Sequence, residues 1–300
     1  MILVSILISL GVEKFFATVQ DLRRFDWFSD YARRLRTGLG RFGNGAFGVL
    51  VIIALPLVGV GLIYFLLDEL DGGYELLGFI FALAVLIFCL GPRNLDEQVQ
   101  AYIAAREADD TEAVQRTATG ILHEDIPGAA FQLSRAVIES ILVQANERVL
   151  AVWFWFAVLG PVGALLYRLS SVLKTNTIGE RATSDFAQAA TRLHAILDWL
   201  PARLVGLGYA ISGSFVDAIA NWRSCASKWE GNWQESSIGV LLASGIGALK
   251  LDADYSRGAL TELDLPSEVA HIKSAQALVW RTLVAWIVII ALMTLAGWAS

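Results

Sequence analysis

The strongest constraint on this chain is an apolar run at residues 46–67 that contains no charged side chain. Its length of about 20 residues matches a bilayer core. Because backbone N–H and C=O groups in lipid must pair with one another, such a run folds as an α-helix. A second apolar run, residues 74–90, follows a short acidic connector and completes a helical hairpin. Hydrophobic residues make up 56% of the chain and charged residues only 17%, which is not typical of a soluble domain.

A third apolar run, residues 149–169, is interrupted near its middle by Gly160-Pro161. Proline removes a backbone donor and clashes with the preceding turn, so a continuous straight helix is not expected. Broken helices are tolerated at membrane depth where they line a cavity within the protein. The predicted fold class is therefore all-α: a polytopic helical membrane protein with cytoplasmic-side amphipathic helices and one Gly-Pro-broken membrane helix.

The predicted organisation is one membrane domain, residues 1–300, in five parts. These are a basic N-terminal helix and interfacial segment (1–45), a transmembrane hairpin (46–92), cytoplasmic helices (93–148), a broken span with polar or interfacial helices (149–277) and a C-terminal span (278–298). The basic residues of the first part predict that it is cytoplasmic in a multi-pass inner-membrane protein. Residues 170–198 read as a helix ending at Pro201, and residues 204–220 as either an interfacial segment or a second broken span.

Several functions are disfavoured by composition and motifs. A net charge of −6 argues against nucleic acid as a partner. The two cysteines, Cys89 and Cys225, lack metal-type spacing, and no metal site is predicted. Gly38-Leu-Gly40-Arg-Phe-Gly43 leads into a membrane span rather than a βαβ unit, so it is not read as a dinucleotide motif. There is no Walker A motif, so a nucleotide would have to bind in another way.

Charged and polar residues flank and interrupt the third apolar run closely, and each costs free energy at membrane depth. The candidate ligand-binding residues are Glu139, Glu147, Tyr167, Arg168, Arg192, His194, Asp198 and Arg203. Arginines bind carboxylates and phosphates in a two-pronged fashion, so we expect a cytoplasmic-side cavity for a small anionic ligand. The alternative is an internal salt-bridge network that holds the broken helix in place. For His194 alone, a simple hydrogen-bonding role is favoured.

These residues resemble two related families. The basic aromatic N-terminus, the span containing Leu55-Pro56 and the run at 152–169 resemble the AmpE family, inner-membrane proteins associated with β-lactamase regulation in Gram-negative bacteria. The central stretch is similar to the CobD/CbiB family, membrane enzymes that join an aminopropanol (phosphate) arm to cobyric acid in cobalamin synthesis. The shared pieces are Glu139-Ser140 with Glu147, Tyr167-Arg168, and Trp199-Leu-Pro201-Ala-Arg203-Leu204.

The chain departs from the CobD/CbiB pattern in three motifs. It has Glu147-Arg148-Val149 where that family has Glu-Asn followed by Asp, and His194-Ala195 where the family has two aspartates. It also has Asp198 immediately before Trp199, where the family has Asn before this Trp. Carboxylates suited to a metal–nucleotide pair are thus altered. The resemblance implies a shared fold, while these departures predict loss of ligase activity, and no catalytic residue is assigned.

Three functions follow. The first is a signalling or regulatory protein of β-lactamase induction and cell-wall response. It would bind a cell-wall fragment, a nucleotide or a partner. The loss of the family's acidic residues favours this binding role over catalysis. The alternative is a membrane enzyme related to adenosylcobinamide-phosphate synthase, with Glu139 and Glu147 as metal ligands or bases and Arg168 and Arg203 as phosphate clamps. The third is a transporter-like protein. The lipid bilayer is a partner in every case, and a homo-oligomer is left open.

Overall fold

The described residues of this protein are helical. The computed structural model describes residues 2–15, 25–69, 75–91, 95–122, 130–180, 184–226, 233–251 and 265–296. They contain no β-strand, which confirms the all-α fold class. All five parts of the predicted organisation lie partly outside these ranges. The residues concerned include 16–24 of the basic N-terminal segment, 70–74 of the hairpin connector, 123–129 of the cytoplasmic helices, 252–264 of the fourth part and 297–298 of the C-terminal span.

The described ranges contain twelve α-helices, numbered in chain order. They are α1 (Ile2–Phe15), α2 (Asp26–Leu39), α3 (Ala46–Asp68), α4 (Glu75–Cys89), α5 (Leu95–Glu107), α6 (Thr111–Leu122), α7 (Ala130–Ala145), α8 (Ala151–Asn176), α9 (Asp185–Ser212), α10 (Phe215–Ala226), α11 (Trp233–Ala248) and α12 (Leu265–Leu295). A π-helical turn, Asn146–Leu150, joins α7 to α8, and short 3₁₀ turns lie at Gly40–Gly43 and Ile178–Glu180. The chain forms two compact units: unit 1 comprises residues 1–92, 147–201 and 289–300, and unit 2 comprises residues 93–146 and 202–288.

Among the residues that the structure describes, three helical stretches are long and apolar enough to cross a membrane: Ala46–Leu67, Gln132–Asn176 and Glu268–Thr294. The second runs through α7, the π turn and α8. The returning helix of the predicted hairpin, α4, is a shorter apolar helix over Leu76–Cys89. Leu55 and Val58 on α3 are 63% and 65% exposed, as expected for side chains that face lipid. These features agree with a multi-pass membrane protein.

The predicted break in the third apolar run is confirmed. Gly160 has φ +63° and ψ −150°, which interrupts the helical geometry of α8 immediately before Pro161. That backbone region is accessible essentially only to glycine. A side chain at Gly163 would place its Cβ 2.3 Å from the carbonyl oxygen of Trp155, so the chain is closely packed after the break.

Pro201 does not end a helix, and the predicted end there is wrong. Helix α9 continues through it to Ser212. Proline cannot donate to the carbonyl four residues earlier, which here belongs to Leu197. The indole Nε1 of Trp155 donates to that carbonyl at 3.0 Å. The tertiary contact therefore supplies the hydrogen bond that the proline removes.

In unit 1, Pro56 within α3 is accommodated in the same way. The carbonyl freed by this proline is that of Ile52, and the hydroxyl of Tyr31 on α2 donates to it at 3.3 Å. Helix α2 also contacts the end of α8 and the 3₁₀ turn that follows it. Asn176 Nδ2 donates to Ser29 Oγ at 2.7 Å, and Arg36 Nη1 donates to Glu180 at 2.8 Å.

Unit 2 is built around closely packed small residues and a few buried polar contacts. Helices α10 and α11 approach so closely that a Cβ at Gly247 would lie 2.6 Å from the carbonyl oxygen of Asp217. Tyr209 on α9 donates its hydroxyl to the carbonyl of Leu142, just before the π turn, at 2.8 Å. Arg106 on α5 and Glu268 on α12 form an ion pair of 2.5 Å. The segment predicted as interfacial or broken, 204–220, is the end of α9, a turn, and the start of α10.

Candidate functional site

Six polar side chains of unit 1 form one contiguous group, called the polar cluster below: Glu147, Tyr167, Ser170, Lys174, His194 and Asp198. Three come from α8 at spacings of three and four residues, which place them on one face of the helix. His194 and Asp198 lie one turn apart on α9. Glu147 lies on the π turn, a deviation from regular helix that occurs frequently at functional sites.

Glu147 is the anionic centre of the cluster. Its Oε1 accepts a hydrogen bond from Lys174 Nζ at 2.6 Å and lies 3.5 Å from His194 Nε2. The latter separation is longer than a well-formed hydrogen bond, and the contact is an ion pair only when the imidazole is protonated. The side chains of Glu147 and Lys174 retain 23% and 19% exposure, whereas His194 is 2% exposed. The cluster is therefore accessible at its Glu147–Lys174 end and closed at its histidine end.

His194 lies between two hydrogen-bonding groups. Its Nδ1 is 3.2 Å from Ser170 Oγ, and Ser170 Oγ donates to the carbonyl of Tyr167 at 2.7 Å. The Ser170 hydroxyl has only one proton, and it donates that proton to the Tyr167 carbonyl. In its contact with His194, Ser170 Oγ is therefore the acceptor and Nδ1–H the donor. The Nε2 atom then faces Glu147, and this contact becomes attractive when Nε2 also carries a proton.

Asp198 closes the buried side of the cluster. It is 4% exposed, and its Oδ1 accepts a hydrogen bond from the hydroxyl of Tyr167 at 2.8 Å. Burial raises the pKa of Asp198, with a nearby His194 acting in the opposite direction. The ring of Tyr167 lies 5.2 Å from that of His194, so the tyrosine contacts both acid and base.

The structure brings together four of the eight predicted site residues: Glu147, Tyr167, His194 and Asp198. Arg168, although adjacent to Tyr167, is buried, with its guanidinium carbon 5.3 Å from the centre of the Phe25 ring. Arg192 is exposed on α9.

The remaining two predicted residues belong to unit 2. Glu139 accepts from Arg135 at 2.8 Å, one turn earlier on α7. Arg203 contacts Ser236 Oγ at 3.4 Å. The three arginines expected to act as one anion clamp thus have different surroundings: an aromatic ring for Arg168, an exposed surface for Arg192 and a serine for Arg203.

The sequence prediction missed two members of the cluster, Ser170 and Lys174. The signal that could have found them is helical spacing, since they follow Tyr167 by three and seven residues. Lys174 is the cation closest to Glu147 in the cluster. No group of three or more His, Cys, Asp or Glu side chains suited to a metal ion occurs in the described ranges.

Comparisons with known proteins agree on one family. A family profile described as CobD/Cbib protein matches residues 6–279. The cobalamin biosynthesis protein CobD of Stutzerimonas stutzeri (strain A1501) is 31% identical over 257 residues, which cover 82% of this chain and 80% of that protein. The CobD of Chromobacterium violaceum is 33% identical over 177 residues, covering 58% and 55%. A probable CobD of Pyrococcus abyssi is 29% identical over 191 residues, covering 61% and 62%. No solved structure matches the chain.

These comparisons contradict the predicted role in β-lactamase induction. The family profile and the named relatives concern cobalamin biosynthesis, so the main functional expectation is wrong and the alternative is better supported. The altered motifs of the chain had indicated a loss of catalysis, whereas the sequence shared with CobD extends over most of the chain.

Proposed function

Because this chain belongs to the CobD/CbiB family, we propose that it is a membrane-bound enzyme of cobalamin biosynthesis that forms an amide bond, as adenosylcobinamide-phosphate synthase does. The observation that carries the proposal is the match to CobD over 82% of the chain at 31% identity. The reaction joins the amine of an aminopropanol (phosphate) to a corrinoid carboxylate. The polar cluster of unit 1 is the proposed site of this reaction.

Amide formation from a carboxylate requires that the carboxylate first be activated. We propose a nucleoside triphosphate as co-substrate: a carboxylate oxygen attacks the terminal phosphorus, and the bond to the nucleoside diphosphate breaks. The amine nitrogen then attacks the acyl carbon, and the carbon–oxygen bond to phosphate breaks. Inorganic phosphate leaves, and the amine loses a proton. Since the amine arrives as an ammonium ion, a base is needed before and after the attack.

In the proposed mechanism, Glu147 and His194 handle these protons. Glu147 already accepts a hydrogen bond from a primary ammonium group, that of Lys174, at 2.6 Å. A substrate ammonium has the same chemistry and would enter from the exposed end of the cluster. His194 Nε2, 3.5 Å from the same carboxylate oxygen, would take up the released proton. Lys174, displaced from Glu147, would then be free to contact a phosphate or carboxylate oxygen.

Tyr167, Ser170 and Asp198 are positioning residues in this proposal. Ser170 holds Nδ1 of His194, and Asp198 holds the hydroxyl of Tyr167, whose ring packs beside the imidazole. A base oriented by such contacts needs no reorganisation when the proton moves. His194 stands where the family has an aspartate, so this chain would use an imidazole at that position.

The test is turnover by the purified full-length chain in lipid nanodiscs. Adenosylated cobyric acid, aminopropanol phosphate and ATP are supplied, and the amide product is measured by mass spectrometry. We expect an ATP-dependent product from the wild type and a decrease of at least about tenfold for Glu147→Gln or His194→Gln. Glu139→Gln is the matched control, because Glu139 is also a carboxylate in an ion pair, and it should retain activity.

The outcomes separate the proposal from its alternatives. A folded wild-type protein that forms no product would contradict the enzymatic function. Product formation lost in Glu139→Gln but retained in Glu147→Gln would contradict the placement of the site in unit 1.

We further propose that the chain is one family domain in the cytoplasmic membrane, with its basic N-terminal segment on the cytoplasmic side. Helix α2 supports this orientation. Arg33 and Arg34 are exposed on it, and Trp27 is 48% exposed, a combination typical of a helix at the headgroup level. The narrower resemblance to AmpE stays a prediction, without the regulatory role.

A further inference from the structure

The turn between α9 and α10 carries large apolar side chains on its outer surface. Ile211, Phe215 and Val216 are 67%, 55% and 75% exposed. Val58 in the predicted span of α3 is 65% exposed, so this turn resembles a lipid-facing helix surface. No charged residue occurs in residues 204–216. A compact apolar surface of this kind indicates an interaction site, although the turn lies outside the three membrane-length helical stretches.

Within unit 2, the helix that leads into this turn packs against the membrane-length stretch of α12. A Cβ added at Gly208 on α9 would lie 2.8 Å from Thr282 Cγ2 and 3.3 Å from Trp286 Nε1 of α12. Both contacts lie within the membrane-length stretch Glu268–Thr294, and they come directly after Arg281, the last charged residue of the sequence. Helix α9 therefore meets α12 where the charge-free part of α12 begins.

Only a short distance separates this contact from the turn. Ile211 follows Gly208 by three residues, which is about 4.5 Å along a helix. Val284 of α12, at the level of the contact, is 55% exposed. The apolar surface of the turn therefore lies within about one helical turn of the exposed apolar surface of α12.

The backbone of the turn is hydrogen-bonded within the protein, a condition for contact with acyl chains. Gly213 N–H donates to the carbonyl of Tyr209 at 2.9 Å, and Ser214 N–H donates to the carbonyl of Ala248 at the end of α11, also at 2.9 Å. Ser214 Oγ donates to the carboxylate of Asp217 at 2.5 Å. The turn can therefore leave water with these three donors already paired.

We propose that the α9–α10 turn is a membrane-inserted apex, in which Ile211, Phe215 and Val216 enter the acyl-chain region beside α12 without crossing the bilayer. Lys250, exposed just after α11, limits the depth, because its ammonium remains with the phosphate headgroups while its stem lies along apolar surface. The occupant of this surface is the lipid bilayer. This inference does not depend on the proposed reaction.

The test measures the depth of a spin label on the full-length chain in nanodiscs of phosphatidylcholine and phosphatidylglycerol. The parent carries Cys89→Ala and Cys225→Ser, and single labels are placed by Val216→Cys and, as a second site, Phe215→Cys. Val58→Cys on α3 is the membrane control, and Thr119→Cys, exposed on α6, is the aqueous control. Collisions with oxygen and with a water-soluble nickel complex are compared by power saturation.

We expect the labels at positions 216 and 215 to collide more with oxygen than with nickel, as at position 58 and opposite to position 119. A nickel accessibility equal to that at position 119 would overturn the proposal. The proposal would also be overturned by low accessibility to both reagents together with dipolar broadening that disappears on dilution with unlabelled protein. That result would mean that a second copy of the chain covers the turn. Variants are compared only when they elute with the parent on size exclusion. Because two sites are labelled, the test can still be made if one of the two variants does not fold.

Discussion

The indole N–H of Trp155 donates to the carbonyl oxygen of Leu197 at 3.0 Å, and Leu197 lies four residues before Pro201 in α9. The bond replaces the backbone hydrogen bond that proline cannot make. It also links the two long helices, α8 and α9, that carry five of the six members of the polar cluster. The packing of unit 1 therefore depends on a side chain that compensates for a proline in another helix.

Trp155→Phe removes the donor and keeps an aromatic ring. We expect it to lower the free energy of unfolding by about 1–3 kcal/mol, because a partly buried carbonyl is left without a partner. In a Pro201→Ala background, the new N–H of residue 201 can bond to Leu197, so the same substitution should cost less there. Denaturant unfolding of the four proteins in detergent measures this coupling. Equal costs in both backgrounds would contradict the compensation.

Gly160→Ala tests the backbone at the break in α8. No heavy atom lies within 4 Å of an added Cβ, so any cost comes from the φ of +63°. We expect a loss of about 1–3 kcal/mol in unfolding free energy. Gly59→Ala in α3 is the matched control, because its added Cβ also meets nothing within 4 Å and its helical backbone favours alanine by about 1 kcal/mol. A similar effect of both substitutions on thermal unfolding would contradict strain at Gly160.

Lys174→Met removes the cation bound to Glu147. The carboxylate, with a side chain only 23% exposed, loses its nearest positive charge. We expect destabilisation of about 1–3 kcal/mol, less than for a fully buried pair because part of the site is solvated. Adding Glu147→Gln should recover most of the loss. The exposed pair Lys273–Glu107, at 3.4 Å, is the control, and Lys273→Met should change stability by less than about 1 kcal/mol.

Asp198 predicts a specific pH dependence of stability. Burial raises its folded-state pKa above the usual value of 3.8, so the folded protein holds this proton more tightly than the unfolded chain. The stabilisation is fully present below the unfolded pKa and is lost as pH rises through the raised folded pKa. Asp198→Asn cannot ionise but still accepts from Tyr167. The difference in melting temperature, variant minus wild type, should therefore grow as pH increases from about 4; a pH-independent difference would rule out this ionisation.

Local features of the sequence were sufficient for the fold class. Membrane-length apolar runs can satisfy their backbone only as helices, so residues 46–67 and the run around Gly160-Pro161 were identified from residue order alone. The break at Gly160 was also predictable, since the Gly-Pro pair acts on its own backbone. Short motifs such as Trp199-Leu-Pro201-Ala-Arg203 indicated the family. They did not distinguish a regulatory function from an enzymatic one, and the regulatory prediction was wrong.

The composition of the polar cluster depended on contacts between residues distant in the sequence. Lys174 is 27 residues from Glu147, and no local pattern indicates that the two side chains meet. The same applies to Arg168, whose guanidinium lies over Phe25, and to Pro201, whose freed carbonyl is bound by Trp155. Sequence periodicity shows which face of a helix a residue occupies, but only the packing of helices decides which groups face one another.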